Sequence, residues 1–235
     1  MQAEIERSQE PGGPETETGP VKSVLRDYAE TILVCVIFVL FARAFVFQQS
    51  KIPTGSMEDT LLPGDYILVD RMQYAPVSFA WESRLLPGRP VARGDIIVFR
   101  FPESPEIDYI KRVIGLPGDT IEVRDRQVWI NGDSLDEPYV AAAHRRGYYP
   151  EAPLQAVEPG HYFVLGDHRN DSLDSREWGF VPASHVKGRA VFIWWSFPEN
   201  DGAHPSVSQR LRAWGGKIVG FFTKTRWNRC LKRIR

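Results

Sequence analysis

Apolar and polar positions change rhythm three times along the chain. From Ala29 to Gln48 the sequence AETILVCVIFVLFARAFVFQ is almost continuously apolar, about the length a helix needs to cross a hydrocarbon core of roughly 30 Å. Arg43 is the only full charge after Glu30, and near the end of the run its long stem can snorkel to an interface. Beyond it, short β-branched and aromatic runs alternate with Gly, Pro, Asn and Asp, which predicts a strand-rich domain. The runs place strands at Tyr66–Asp70, Asp95–Phe101, Asp108–Ile114, Thr120–Val123, Val128–Ile130, His161–Leu165 and Val186–Trp195, with Asn131-Gly132 as a hairpin turn. Tyr74–Ala92 and Ala141–Pro159, rich in Pro and aromatics, read as surface excursions. The last rhythm is cationic. Over residues 209–235, Arg210, Arg212, Lys217, Lys224, Arg226, Arg229, Lys232, Arg233 and Arg235 surround Leu211, Trp214, Ile218, Phe221 and Phe222, a three-and-four spacing read as an amphipathic interfacial helix, with a frayed basic tail or a helix packed on the core as the competing reading.

The predicted fold class is therefore mainly β, a domain of short antiparallel strands preceded by one N-terminal transmembrane helix. Its segments are an acidic disordered tail over 1–24, a membrane anchor over 25–48, the β domain over 49–200 and the basic aromatic tail over 201–235. A cleavable signal peptide is the competing reading of the apolar run, since Ala42-Arg43-Ala44 resembles a cleavage site. The acidic residues before the run and Phe45–Phe47 after that site argue against it. Total charge is nearly balanced, 29 Lys+Arg against 30 Asp+Glu, which gives no reason to expect a nucleic-acid partner. Cys35 and Cys230 lie in unlike surroundings and are not expected to pair. The five histidines lack paired ligand spacing, so neither a metal nor a cofactor is expected.

Three segments combine polar groups with adjacent apolar strands: Ile52–Met57, Tyr109–Gly115 and Gly166–Arg176. Ser56 follows Gly55, so a tight turn can expose its hydroxyl while a backbone N–H points toward a developing oxyanion. Gly-Ser-Met alone is weak, and a plain turn serine is its commoner meaning. Lys111 sits in a strand-like run, where a lysine is either solvated or buried. Burial among apolar neighbours would lower its pKa from about 10.4 by roughly 3, leaving an amine able to take a serine proton. Spacing alone cannot pair the two, because such partners meet only in space.

Taken together, these residues resemble the type I signal peptidases over about residues 25–198. Ser56–Leu61 is similar to that family's Ser-Met-x-x-Thr-Leu motif, and Arg93-Gly94-Asp95 and Tyr109–Asp119 to the next two. Gly166–Arg176 is similar to Gly-Asp-x-Arg-x-x-Ser-x-Asp-Ser-Arg. The resemblance implies a catalytic serine peptidase domain over 49–200, with Ser56 as nucleophile and Lys111 as general base. It further implies Thr54 and the Ser56 amide as oxyanion donors, Ser172 orienting the lysine, and Asp174 with Arg176 bracing the site. Ile52, Met57, Leu61, Tyr109 and Ile110 would line shallow apolar pockets for small side chains. Two departures stand out: His168 where the family usually has asparagine, and Asp59 where proline is frequent. The first raises a rival set of Ser56, His168 and Asp167, disfavoured because neighbouring residues seldom orient one another in the required way.

The implied activity is removal of signal peptides from exported preproteins after Ala-x-Ala, with the lipid bilayer and the secretion translocon as further partners. Lys22 and Arg26 before the apolar run favour a cytoplasmic N-terminus, with a single pass through a bacterial inner membrane and an extracytoplasmic catalytic domain. Ser56 lies nine positions after Phe47, so the nucleophile would lie within about 30 Å of the membrane face. Two other readings stay open: a catalytically silent membrane-anchored binding module, and a self-processing Ser-Lys protease of the repressor type.

Overall fold

In the computed structural model, residues 24–41, 47–72, 89–198 and 220–234 are described. They belong to two units. The first carries helix α1, Val24–Phe41. Its 18 residues give about 27 Å of rise, but Arg26, Asp27 and Glu30 fall in its first two turns. No helix among the described residues is long and apolar enough to cross a membrane. Phe47 and Gln48, the last residues of the expected anchor over 25–48, instead open a strand. The acidic tail lies outside the described residues, apart from Val24 at the start of α1.

The second unit is mainly antiparallel β. Its large sheet orders the strands β1 (Phe47–Lys51), β2 (Asp65–Asp70), β11 (Val186–Ser196), β3 (Ile96–Phe101), β4 (Ser104–Gly115), β9 (His161–Leu165) and β10 (Val181–Pro182). Strand β12 (Lys232–Arg233) pairs with β11. A smaller sheet orders β7 (Asp133–Ser134), β6 (Gln127–Ile130), β5 (Thr120–Arg124) and β8 (Ala152–Ala156). Alternation explains the burial: β2 reads buried-intermediate along its length, while β3, paired on both edges, is buried at every position but Arg100. The cores follow the sheets. Ile67, Val69, Ile96 and Val98 pack with Ile52, Met57 and Leu61, whereas Ile121, Val123 and Val128 pack with Phe163 and Tyr149.

Three segments depart from the sequence reading. Ala141–Pro159 is no simple excursion, since it contains β8 and buries Tyr149, Ala152 and Val157. Tyr74–Ala92 lies mostly outside the described residues, as do Leu211, Trp214 and Ile218 of the expected interfacial helix. From Gly220 onward the basic tail lies on the sheet as a four-residue helix, a 3-10 turn and β12. Asp65 explains its placement: this fully buried carboxylate accepts from Arg229 at 2.5 Å and from Ser196 Oγ at 2.6 Å, while Ile234 enters the core.

Candidate active site

The Ser56 turn is held from both ends. Ile52 extends the β1–β2 pairing, its N–H donating to the Asp65 carbonyl at 2.9 Å, and the chain then bends so that the Glu58 N–H donates to the Gly55 carbonyl at 2.8 Å. Strand β4 carries Lys111 across from Ile97 and Arg112 across from Leu165 of β9. This crossing brings the Lys111 Nζ 2.7 Å from the Ser56 Oγ. Lys111 is 4 % exposed. Desolvation by burial lowers its pKa from 10.5 to about 8, and the nearby Asp174, Arg176 and Asp167 charges partly cancel one another. A neutral amine at this distance can accept the hydroxyl proton.

The loop after β9 closes the site. Gly166 must be glycine, because a Cβ there would overlap the Ser172 hydroxyl and fall 2.5 Å from the Ser56 carbonyl oxygen. Asp174 caps the short helix Ser175–Trp178 and accepts the Gly166 N–H at 3.0 Å. It also pairs with Arg176 at 2.8 Å, and Arg176 donates to the Arg169 carbonyl at 2.7 Å. The loop is thereby tied to its own two ends. Arg169 itself is fully buried, with Nη1 donating to Glu137 at 2.8 Å and to the Tyr149 hydroxyl at 3.2 Å. Burial alone would lower its pKa, but Glu137 outweighs it and holds the guanidinium charged.

Other expected site residues take different places. Thr54 is exposed at the mouth of the cleft. Ser172 Oγ is buried without a hydrogen-bond partner, so it does not bond the Lys111 amine in this structure. Tyr109 and Ile110 line the cleft, whereas Ile52, Met57 and Leu61 are at most 2 % exposed and belong to the core instead of the expected pocket wall. The cleft holds about 510 Å³ between Pro53–Ser56 and Ile107–Lys111, with Asp171 and Leu173 at its rim. Ile107 and Leu173 escaped sequence reading, although both leave apolar surface exposed there.

Asp167 and His168 do not form the rival set. Asp167 is fully buried and takes Arg112 in two bonds of 2.8 and 2.7 Å, plus the Thr60 hydroxyl at 2.5 Å. His168 Nδ1 lies 3.3 Å from the Gly55 carbonyl and 3.5 Å from Glu58. Sequence reasoning also missed that His168 stacks on His144 with ring centroids 3.8 Å apart, beside Glu58, although the histidines lack paired ligand spacing along the chain. Their meeting depends on folding of Ala141–Pro159, invisible in sequence spacing.

Comparison with known proteins places these features in context. Residues 25–195 match the family model described as signal peptidase, peptidase S26. The chain is 33 % identical to a signal peptidase I of Pseudomonas aeruginosa, over 75 % of this chain and 74 % of that relative. It is 36 % identical to a signal peptidase I of Leptolyngbya laminosa, over 79 % and 87 %. A crystal structure of a signal peptidase I from Enterococcus faecalis is 40 % identical, covering 43 % of this chain and 97 % of that one, with a TM-score of 0.38.

Proposed function

The chain belongs to the signal peptidase family, peptidase S26, and from that membership and the site geometry we propose that it removes N-terminal signal peptides from exported preproteins with Ser56 as nucleophile and Lys111 as general base. The observation that carries the reading is the 2.7 Å contact between a buried, pKa-lowered amine and a serine hydroxyl. As Ser56 Oγ attacks the scissile carbonyl, its proton passes to Lys111 Nζ. The ammonium then gives that proton to the departing amine, and an ester to Ser56 remains. Water, deprotonated by the again neutral lysine, releases the signal peptide and restores Ser56. The Ser56 N–H and the Thr54 hydroxyl are the proposed donors to the oxyanion. Asp174 and Arg176 position the loop that carries Ser172, and Ser172 would orient the amine once its side chain turns toward it.

An extended substrate fits the edge of β4. Before Arg112, no described strand pairs β4 on the side away from β3. Main-chain bonds to that edge would turn alternate side chains into the cleft that Tyr109 and Ile110 help to line, which supports a preference for small residues as in Ala-x-Ala. Membrane attachment through α1 belongs to the same reading. Ile32, Leu33, Val34, Val36, Ile37 and Phe38 are each at least 47 % exposed, an apolar surface a bilayer would cover. Orientation with an extracytoplasmic catalytic unit follows from the substrate. The test is intact-mass analysis of a synthetic preprotein incubated with the chain in detergent. Cleavage directly after Ala-x-Ala, absent with Ser56→Ala, is expected; cleavage that survives this substitution contradicts the assignment.

A further inference from the structure

We propose that Glu58, His144 and His168 form a binding site for a borderline divalent cation of the zinc type beside the nucleophile turn. The three residues come from separate segments: the turn after Ser56, the 3-10 helix Ala142–Arg145 and the loop after β9. One ligand atom from each lies within 4.8 Å of the others. Two imidazoles and a carboxylate are a donor set that zinc accepts, whereas magnesium and calcium select oxygen-rich sites. Around zinc, bond lengths of about 2.0–2.1 Å place ligand atoms about 3.3 Å apart. Closing the cluster to that spacing brings the ligand atoms together by up to about 1.5 Å and turns the stacked rings so that their in-plane lone pairs converge.

His144 Nδ1 is buried and has no hydrogen-bond partner; Asp59 Oδ2 lies 3.1 Å away but off the hydrogen-bond direction. Side-chain exposures of 15 % for His144, 17 % for His168 and 38 % for Glu58 leave an entrance on the carboxylate side. Binding would reach the nucleophile through two backbone bonds. The His168 N–H donates to the Ser56 carbonyl at 3.2 Å, and the Glu58 N–H donates to the Gly55 carbonyl. A bound cation would therefore join the Ser56 turn to both loops and stabilise that arrangement.

The test uses the full chain in detergent with Cys35 and Cys230 replaced by serine, so that no thiol contributes. Zinc is titrated against a chromogenic chelator, with thermal unfolding followed in parallel. The expected result is one zinc per chain and a higher unfolding midpoint, neither produced by magnesium. His144→Ala and His168→Ala should each weaken binding at least tenfold, while His185→Ala should not. Diethylpyrocarbonate modification of the chain with its histidines intact, mapped by mass spectrometry, gives a readout independent of variant folding: zinc should protect His144 and His168. Zinc binding no tighter than magnesium, unchanged binding in either variant, or no protection of the two histidines overturns the proposal.

Discussion

Burial brings the Lys111 pKa from 10.5 down to about 8, a displacement worth about 3 kcal/mol. The unfolded chain holds this proton more tightly than the folded one, so the cost is fully present below pH 8 and vanishes as pH rises to 10.5. Lys111→Met should therefore abolish cleavage yet raise thermal stability at pH 7 by up to about 3 kcal/mol, with the gain shrinking above pH 8. Calorimetry at both pH values checks it; equal gains would mean that the charge is not the source. Gly166 carries the opposite expectation. Gly166→Ala has no space between Ser172 and the Ser56 carbonyl, so it should lower kcat by tenfold or more through displacement of the nucleophile turn, as kinetics on a synthetic preprotein would show. Arg169 and Glu137 form a fully buried pair. Glu137→Gln should cost about 3–5 kcal/mol in denaturant unfolding, because it leaves a buried guanidinium unbalanced. The sequence placed Ser56 and Lys111 in reactive settings, but their contact, the commitment of Asp167 to Arg112 and the meeting of His144 with His168 required the fold. Each joins segments far apart in the chain, where spacing is silent.

Strands were legible where β-branched and aromatic residues concentrate between turns, whether one face is buried or both. Tyr66–Asp70, Thr120–Val123 and His161–Leu165 alternate or concentrate β-branched and aromatic residues between turns, and each is a strand within one residue at either end. Asn131 and Gly132 both have positive φ, as their hairpin requires. The turn at Asp125-Arg126 has the same geometry without glycine, so its residues gave no such signal. Of the strands not foreseen, three were hidden by composition. Phe47–Lys51 begins within the end of the apolar run, Ala152–Ala156 contains proline, and Lys232–Arg233 lies among cations. The first matters experimentally because all five of its residues pair with β2. A chain beginning at residue 47 should fold and cleave soluble peptides, whereas one beginning at Ile52 loses the strand and should be markedly less stable. Circular dichroism melts of the two truncations decide it; indistinguishable midpoints would show that β1 is dispensable.

At the scale of the whole molecule, a β unit carries the chemistry and α1 is the proposed attachment to the bilayer. The cleft, the open edge of β4 and the Ser56–Lys111 contact all lie within the β unit. Removing α1 should therefore leave soluble-peptide cleavage intact while slowing processing of membrane-embedded preprotein, as the gain from local concentration is lost. The most direct measurement of the central claim is the pH dependence of kcat/KM on a synthetic preprotein from pH 6 to 10, for the parent chain and for His168→Asn. With Lys111 as base, kcat/KM rises about tenfold per pH unit below about 8 and levels off above it, with the same midpoint in the histidine variant. A profile that is flat, that falls over this range, or whose midpoint moves with His168→Asn contradicts it.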